Sequence, residues 1–299
     1  MSHHRRRGWA RFGAAAVAGV AGVSLTYVAS CYDFTFTPAG PSRDGSIDTS
    51  SPAPDADDGR EKPLACPTGA GTRGPAMVGV RAPRDAGVFC IDSTEVTRAQ
   101  YAEFLAAKVD PGKQIGVCEW NTTFEPDSKK VAPQPGNHPV VAVDWCDAYA
   151  YCAWAGKTLC GDLDGGPHTA FTEPASVVSD RWRIACTRGE DGFHIYPYGN
   201  TYDASVCNAY ERKLDATVPV GSDPGCVGGF PGIFDMSANV GEWENTCEIS
   251  GDGSTPTSDR CALRGGSFHH DEDEVRCNDL LIGSRTLTFP DVGFRCCNK

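Results

Sequence analysis

The sequence lacks the short signatures that announce most enzymes. It has no Gly-rich phosphate loop, no Gly-x-Ser-x-Gly elbow and no His-Glu-x-x-His pair, so P-loop, α/β-hydrolase and zincin chemistries have no foothold. Positive charge is also scarce. With 27 Lys and Arg against 39 Asp and Glu, the net charge of −12 excludes a protein built to grip nucleic-acid phosphates. No Cys-x-x-Cys pair occurs, and the cysteine spacings match neither a zinc finger nor a zinc ribbon. The one early apolar stretch, about Gly13 to Val28, is broken by glycine and falls short of the roughly 20 residues a spanning helix needs.

Three things are abundant instead. Hydrophobic residues make up 40% of the 299, enough for a packed core. The 34 Gly and 21 Pro exceed the ordinary share of about 12% and point to turn-rich structure with short elements. Fifteen cysteines, an odd number, leave one thiol to explain in an exported chain.

The N-terminus suggests what that thiol does. Residues 1–30 carry Arg5, Arg6, Arg7 and Arg11, no acidic residue, and then the short apolar stretch: the layout of a secretory signal. It ends Val28-Ala29-Ser30-Cys31, which resembles the lipobox of bacterial lipoproteins, in which the cysteine is acylated and anchors the chain in a membrane. Cleavage before Cys31 removes the four arginines and takes the net charge from −12 to −16. Residues 31–65, rich in Ser, Pro, Asp and Gly, read as a disordered, self-repelling tether, and residues 66–299 as the folded domain. Tyr32 rather than Asp after Cys31 points to the outer membrane, and the expected location is the outer membrane, cell surface or periplasm. With Cys31 lipidated, fourteen cysteines remain for disulfides in an oxidising compartment. Cys296 and Cys297 are adjacent and each should staple a different element.

Along the domain, Val88–Ile91 reads as a buried strand. Thr97, with Gln100 three residues on, forms a capping box for a helix that shows Tyr101, Phe104 and Leu105 on one face. Val140–Val143 reads as a strand, and Asp144 caps a helix from Trp145 to about Ala155, stopped by Gly156. Residues 161–180 read as a surface insertion, Trp182–Arg188 as a helix, and Val218–Val220 and Leu263–Phe268 as short strands in an otherwise loop-rich region. Glu95, Asp144 and Asp235 fall at caps or turns and are assigned structural roles, and His138 before Pro139 reads as a satisfied turn histidine.

Several blocks, in order, resemble the formylglycine-generating enzyme (sulfatase-modifying factor) family. They are residues 89–105, 138–157, 182–200, 218–243, 263–277 and 291–296, and together they span about 88–297. The resemblance implies an α+β, C-type-lectin-like fold: loop-rich, disulfide-stapled, with few short helices and a small antiparallel sheet. It also implies an oxidase that converts a sulfatase Cys or Ser into formylglycine by means of two cysteines that bind copper(I), a soft ion suited to thiolate. Aligned on Arg264-Gly265-Gly266-Ser267-Phe268, those two positions hold His270 and Val275. The copper site is therefore not expected, and no catalytic residue is assigned.

By the same resemblance Cys152 should pair with Cys296 and Cys186 with Cys277. Cys207–Cys226 and Cys247–Cys261 are pairings suggested by proximity along the loops alone. The turn Asn239-Val240-Gly241-Glu242-Trp243 matches a family turn that binds structural calcium, which here implies the side chains of Asn239 and Glu242 with the carbonyls of Ala238 and Val240. A second family site, through Asn208 and the Ala209 carbonyl, lacks its matching downstream loop.

Finally, His269, His270 and the run Asp271–Glu274 cluster in sequence. They read either as a solvated acidic loop or as a relocated metal site around His270. Three functions follow. One is a non-catalytic family member that binds a peptide, glycan or protein partner at the cell envelope. The others are an oxidase with a relocated metal site and a purely structural envelope protein.

Overall fold

The computed structural model describes residues 64–66, 73–167, 179–189, 194–249 and 255–298. Cys31 and the proposed tether lie outside them, as does most of the 161–180 insertion. All the described residues fall in one unit, Ala56–Lys299.

Short elements dominate. β1 (Met77–Arg81) and β2 (Val88–Asp92) pair antiparallel, the capping box of Thr97 and Gln100 starts α1 (Arg98–Ala106), and Asp144 starts α2 (Trp145–Trp154). Asp144 and Asp147 cap reciprocally: each carboxylate accepts the other's backbone N–H, at 3.1 and 3.0 Å, so two otherwise unpaired amides of the first turn are satisfied. β3 (Thr158–Leu159) is followed by α3 (Arg181–Thr187), which the side chain of Asp180 caps and left-handed Arg188 terminates. β4 (Gly241–Glu248), β5 (Arg260–Arg264), β6 (Leu281–Ser284), β7 (Val292–Phe294) and β8 (Cys296–Asn298) complete the set.

The strands form two four-stranded sheets, β1-β2-β8-β3 and β6-β5-β4-β7. Among the described strands only the β4–β7 pairing is parallel. Because β7 and β8 are separated by the single residue Arg295, the C-terminus feeds one strand into each sheet. The apolar faces of α1 and α2 meet over β7 in an aromatic cluster: Tyr151 stacks on Tyr101 at 5.6 Å and meets the edge of Phe294 at 5.3 Å. The buried Tyr101 hydroxyl donates to the Phe124 carbonyl at 2.7 Å.

Two expected strands are absent. Val140–Val143 is buried, but Ala142 has φ +59°, which breaks the extended run; its amides bond to Val96 and Phe289 rather than to a ladder. Val218–Val220 is interrupted by Pro219, and its Val218 amide goes to a side chain, Asn239. The last expected strand ends at Arg264, where Gly265 and Gly266 reverse the chain with φ +81° and +64°.

Seven disulfides join the fourteen described cysteines. Cys152 bonds to Cys296 and Cys160 to Cys297, so the adjacent C-terminal pair ties α2 and the segment after β3 to β8. Cys186–Cys277, Cys207–Cys226, Cys247–Cys261, Cys66–Cys90 and Cys118–Cys146 complete the set. In a domain with so much irregular backbone, each such link removes freedom from the unfolded chain, typically about 2–4 kcal/mol per bond.

Candidate functional site

The two glycines after β5 build the site. A Cβ on Gly265 would sit 2.8 Å from the Met236 carbonyl, and one on Gly266 would sit 2.7 Å from the Glu274 carbonyl. Only glycine permits this close approach at positive φ. The reversed chain leads into Ser267, Phe268, His269 and His270, the first two buried and His269 exposed.

Ser267 is the hub. Its buried hydroxyl lies 2.7 Å from Asp291 Oδ2 and 2.8 Å from His270 Nδ1, and its backbone N–H donates to the same Nδ1 at 3.0 Å. A ring nitrogen that faces a peptide N–H must offer its lone pair, so Nδ1 is the acceptor and the proton of a neutral ring sits on Nε2. The carbonyl of His270 accepts from the Tyr210 amide at 3.0 Å, which pins the loop from the other side. His269 is half-exposed and bridges two carboxylates: Nδ1 to Asp291 Oδ2 and Nε2 to Asp215 Oδ1, both at 3.2 Å. Both contacts are hydrogen bonds only while both nitrogens carry protons.

Ser267, His270 and Asp291 have the composition of a hydrolytic triad but not its connectivity. In a triad the acid bonds the histidine and the histidine bonds an exposed serine. Here the buried serine hydroxyl gives its one proton to Asp291, and His270 Nδ1 is held by the Ser267 amide. The group is a hydrogen-bonded clamp that shapes the loop.

Val275, at the second degenerate position, is buried against Tyr196, Cys207, Ala209, Cys226 and Ala238. Its carbonyl accepts from the Ser237 hydroxyl. The site therefore offers no thiol, and every other described cysteine is consumed in a disulfide. The residues do not fit a copper(I) dithiolate centre. The relocated-metal expectation fares no better: among the described residues no three His, Cys, Asp or Glu side chains converge to hold a metal. His270 is turned onto Ser267, and His269 is saturated by its two carboxylates. The acidic run makes its own surface contacts, with Asp271 capping the Asp273 amide at 3.1 Å and Arg276 pairing Asp273 at 2.7 Å.

The residues expected to hold calcium lie together in one buried turn. Glu242 and Asn239 are buried, but their oxygens are already occupied. Glu242 Oε1 receives Arg295 Nε and Nη2 at 2.9 and 2.7 Å; Oε2 receives Arg295 Nε and Trp182 Nε1 at 2.7 and 2.8 Å. Asn239 Oδ1 receives the Val218 amide at 2.9 Å and Asn208 Nδ2 at 3.2 Å. The carboxylate that remains open beside this turn is Glu95, whose buried Oε2 has no hydrogen-bond partner among the described residues. Nearby, burial and the neighbouring Asp235 and Glu242 push the Glu95 carboxyl well above the ordinary carboxylate range, and Glu95 Oε1 accepts from Asn239 Nδ2 at 2.8 Å. Burial likewise raises Asp235, whose Oδ2 accepts from the Gly221 amide at 2.6 Å. His138 bonds Thr217 Oγ1 at 2.9 Å through Nδ1, and burial, followed by Arg98, lowers its pKa.

The family model described as the sulfatase-modifying factor enzyme 1-like domain, FGE-sulfatase, matches residues 64–299. The chain belongs to this family. Similar members include a Bos taurus protein named inactive C-alpha-formylglycine-generating enzyme 2, 29% identical over 173 residues, 53% of this chain and 49% of that protein. A Thermomonospora curvata formylglycine-generating enzyme is 29% identical over 202 residues, 59% of this chain and 60% of its own. The chain thus spans about half the length of the curated relatives it matches. Among solved structures, CarF aligns with TM-score 0.50 and 22% identity over 76% of this chain and 95% of its own. PvdO from Pseudomonas aeruginosa aligns with TM-score 0.50 and 20% identity over 75% and 94%. At that identity the structural likeness establishes the FGE-sulfatase fold.

Sequence reasoning named His270 and Val275 but missed Ser267, Asp291 and Asp215 as partners and Arg295 as the mate of Glu242. Asp291 and Arg295 stand inside the last family block, 291–296, where a lone arginine between apolar residues signalled a buried ion pair.

Proposed function

We propose that this chain is an exported protein, anchored to a membrane through acylated Cys31, that uses the FGE-sulfatase fold to bind a peptide, glycan or protein partner at the cell envelope and does not carry out formylglycine-type oxidation. The observation that carries the reading is the state of the cysteines. The two positions that would supply thiolates are His270 and Val275, and the fourteen described cysteines are all spent in disulfides. Seven disulfides also favour an oxidising compartment over a reducing one, in keeping with export to the outer membrane, cell surface or periplasm. Similarity to proteins named inactive formylglycine-generating enzyme 2 shows that the family accommodates inactive members.

The test is direct. The purified protein is incubated with copper(I), oxygen and a sulfatase-type cysteine peptide, and the peptide is weighed by mass spectrometry. An unchanged peptide is the expected result. The mass change of cysteine to formylglycine, at a rate dependent on the protein, would overturn the reading.

A further inference from the structure

β4 and β5 run from the Ser267 clamp to a pocket at their other ends. β4 starts at Gly241, whose amide donates to Asp291 O, and passes Asn245 and Cys247, which line the pocket; Ile249 lies just beyond it. β5 begins next to Asp259 in the pocket wall and ends at the Gly265 turn. The cavity measures about 320 Å³, at the small end of the range for ligand pockets. We infer that this pocket is a second binding site, which takes an aliphatic group attached to a carbonyl or carboxylate oxygen, as at a leucine-type residue of a peptide.

The oxygen is called for by Arg285, which lines the pocket with its side chain only 5% exposed. Nη2 donates to Asp259 Oδ2 at 3.0 Å, but Nε and Nη1 meet no acceptor among the described residues. Buried donors are nearly always paired, because an unpaired one forfeits its bond to water and gains none in return. A ligand oxygen at this wall supplies the missing acceptor. Asp259 already balances the guanidinium charge, so a neutral carbonyl is sufficient. The buried Asn245 carboxamide adds donor and acceptor capacity to the same wall. Arg285 is also fixed in place. Its amide donates to Asp259 O at 2.9 Å, its carbonyl accepts the Trp145 amide at 3.3 Å, and its guanidinium packs 4.3 Å from the Trp145 ring centroid. The donors are therefore held ready before a ligand arrives.

The aliphatic group follows from the rest of the wall, which includes Ile115, Val117, Pro167, Ile249 and Pro256. Ile249, 67% exposed, is the most exposed large apolar residue among those described, and Ile115 on the same pocket is exposed as well. Apolar surface gathered at the rim of one cavity gains by being covered. A sugar fits less well. The one indole here, Trp145, is buried against Tyr149 at 5.1 Å and against Arg285, and offers no bare face for stacking. This inference does not rest on the function proposed above, because the pocket and the Ser267 clamp lie at opposite ends of the same strands. The formylglycine assay and the titration below can each fail alone.

The experiment is a titration of the 15N-labelled protein, disulfides intact, with three small compounds. N-acetyl-leucine N-methylamide carries the side chain and a carbonyl, N-acetyl-leucine carries the side chain and a carboxylate, and N-acetylglycine N-methylamide lacks the side chain. Ligands of this size bind at best with dissociation constants on the order of 1 mM, so each is taken to about 20 mM. The Arg285 Nε–H and the Asn245 side-chain NH2 signals are expected to move and saturate with the leucine compounds and to stay in place with the glycine compound. Tighter binding of the methylamide assigns the site to a residue inside a peptide, and tighter binding of the acid to a terminal one. Ile249→Asp, at an exposed position that leaves the core alone, should weaken the binding on the order of tenfold, as expected for a lost apolar contact. Signals that do not saturate, that respond equally to the glycine compound, or that respond equally in Ile249→Asp would overturn the inference.

Discussion

The segment Asp291–Asn298 and the turn Gly265–Val275 both carry family motifs, yet they differ in kind. In the first, every side chain that matters is buried and paired: Arg295 with Glu242, Cys296 with Cys152, Cys297 with Cys160, and the Cys296 amide with Asp92 Oδ2 at 2.9 Å. In the second, the backbone is equally constrained, but His269 and the run Asp271–Glu274 meet solvent and bond through surface carboxylates and an exposed arginine. The scaffold residues of the family are kept where they hold sheets together, and the positions that would carry copper chemistry hold side chains that serve the loop itself. The interactions that stabilise the family fold and the two positions aligned with its copper ligands thus occupy different residues.

That contrast predicts a steep gradient in mutational cost. At the buried end, Arg295→Gln leaves Glu242 without its counter-charge in the protein interior. The expected loss is about 3–5 kcal/mol in urea unfolding with the disulfides intact. The double variant Arg295→Gln with Glu242→Gln should recover part of it, because the stranded charge is gone. A single-variant loss below about 1 kcal/mol would break the comparison, since a pair worth so little behaves like a surface one.

The same region should show itself in the pH dependence. Burial outweighs the Lys157 ion pair at Asp92 and raises its carboxyl from 3.8 to about 6, although the Lys157 ammonium donates to it at 2.6 Å. A carboxyl whose pKa is higher in the folded state binds its proton more tightly there. Its contribution is therefore complete below about pH 3.8 and is lost as the pH climbs through about 6, on the order of 3 kcal/mol in all. Glu95 and Asp235, raised by burial, act in the same direction. The melting temperature should consequently be higher at pH 5 than at pH 8, and Asp92→Asn should flatten the profile even as it lowers it. A melting temperature that rises from pH 5 to pH 8 would place the controlling groups elsewhere.

The difference between the two regions also explains what could be read from the sequence. Helix caps are local, so Thr97 with Gln100 and Asp144 before Trp145 were legible within four residues. The cysteine pattern and the motif order were legible because spacing alone carries them. The strand expected at Val140–Val143 was not, because what breaks it is the left-handed Ala142, and its amides answer to Val96 and Phe289 far along the chain. The partners of Asn239 and Glu242 were hidden for the same reason. Asn239 and Glu242 look free in the sequence, and only the folded chain brings Arg295, 53 residues away, onto Glu242. Ser267 met the same fate: its neighbours in sequence include His270, but Asp291 arrives from the C-terminal motif.

The shallow end of the gradient lies at the histidines. His269→Ala removes two contacts to carboxylates from a half-exposed ring, one of them to the exposed Asp215. Exposed pairs of this kind contribute about 0–1 kcal/mol, and the change in stability should fall in that range and shrink further at high salt. His270→Ala goes slightly deeper, because it leaves the Ser267 amide without its Nδ1 acceptor; about 1 kcal/mol is expected, typical of one hydrogen bond. Both variants should keep all seven disulfides and the amide spectrum of Asp291–Asn298. If His270→Ala instead cost as much as Arg295→Gln, the turn would be part of the scaffold after all, and the division between residues that hold the fold and residues free for binding would have to be redrawn around Ser267.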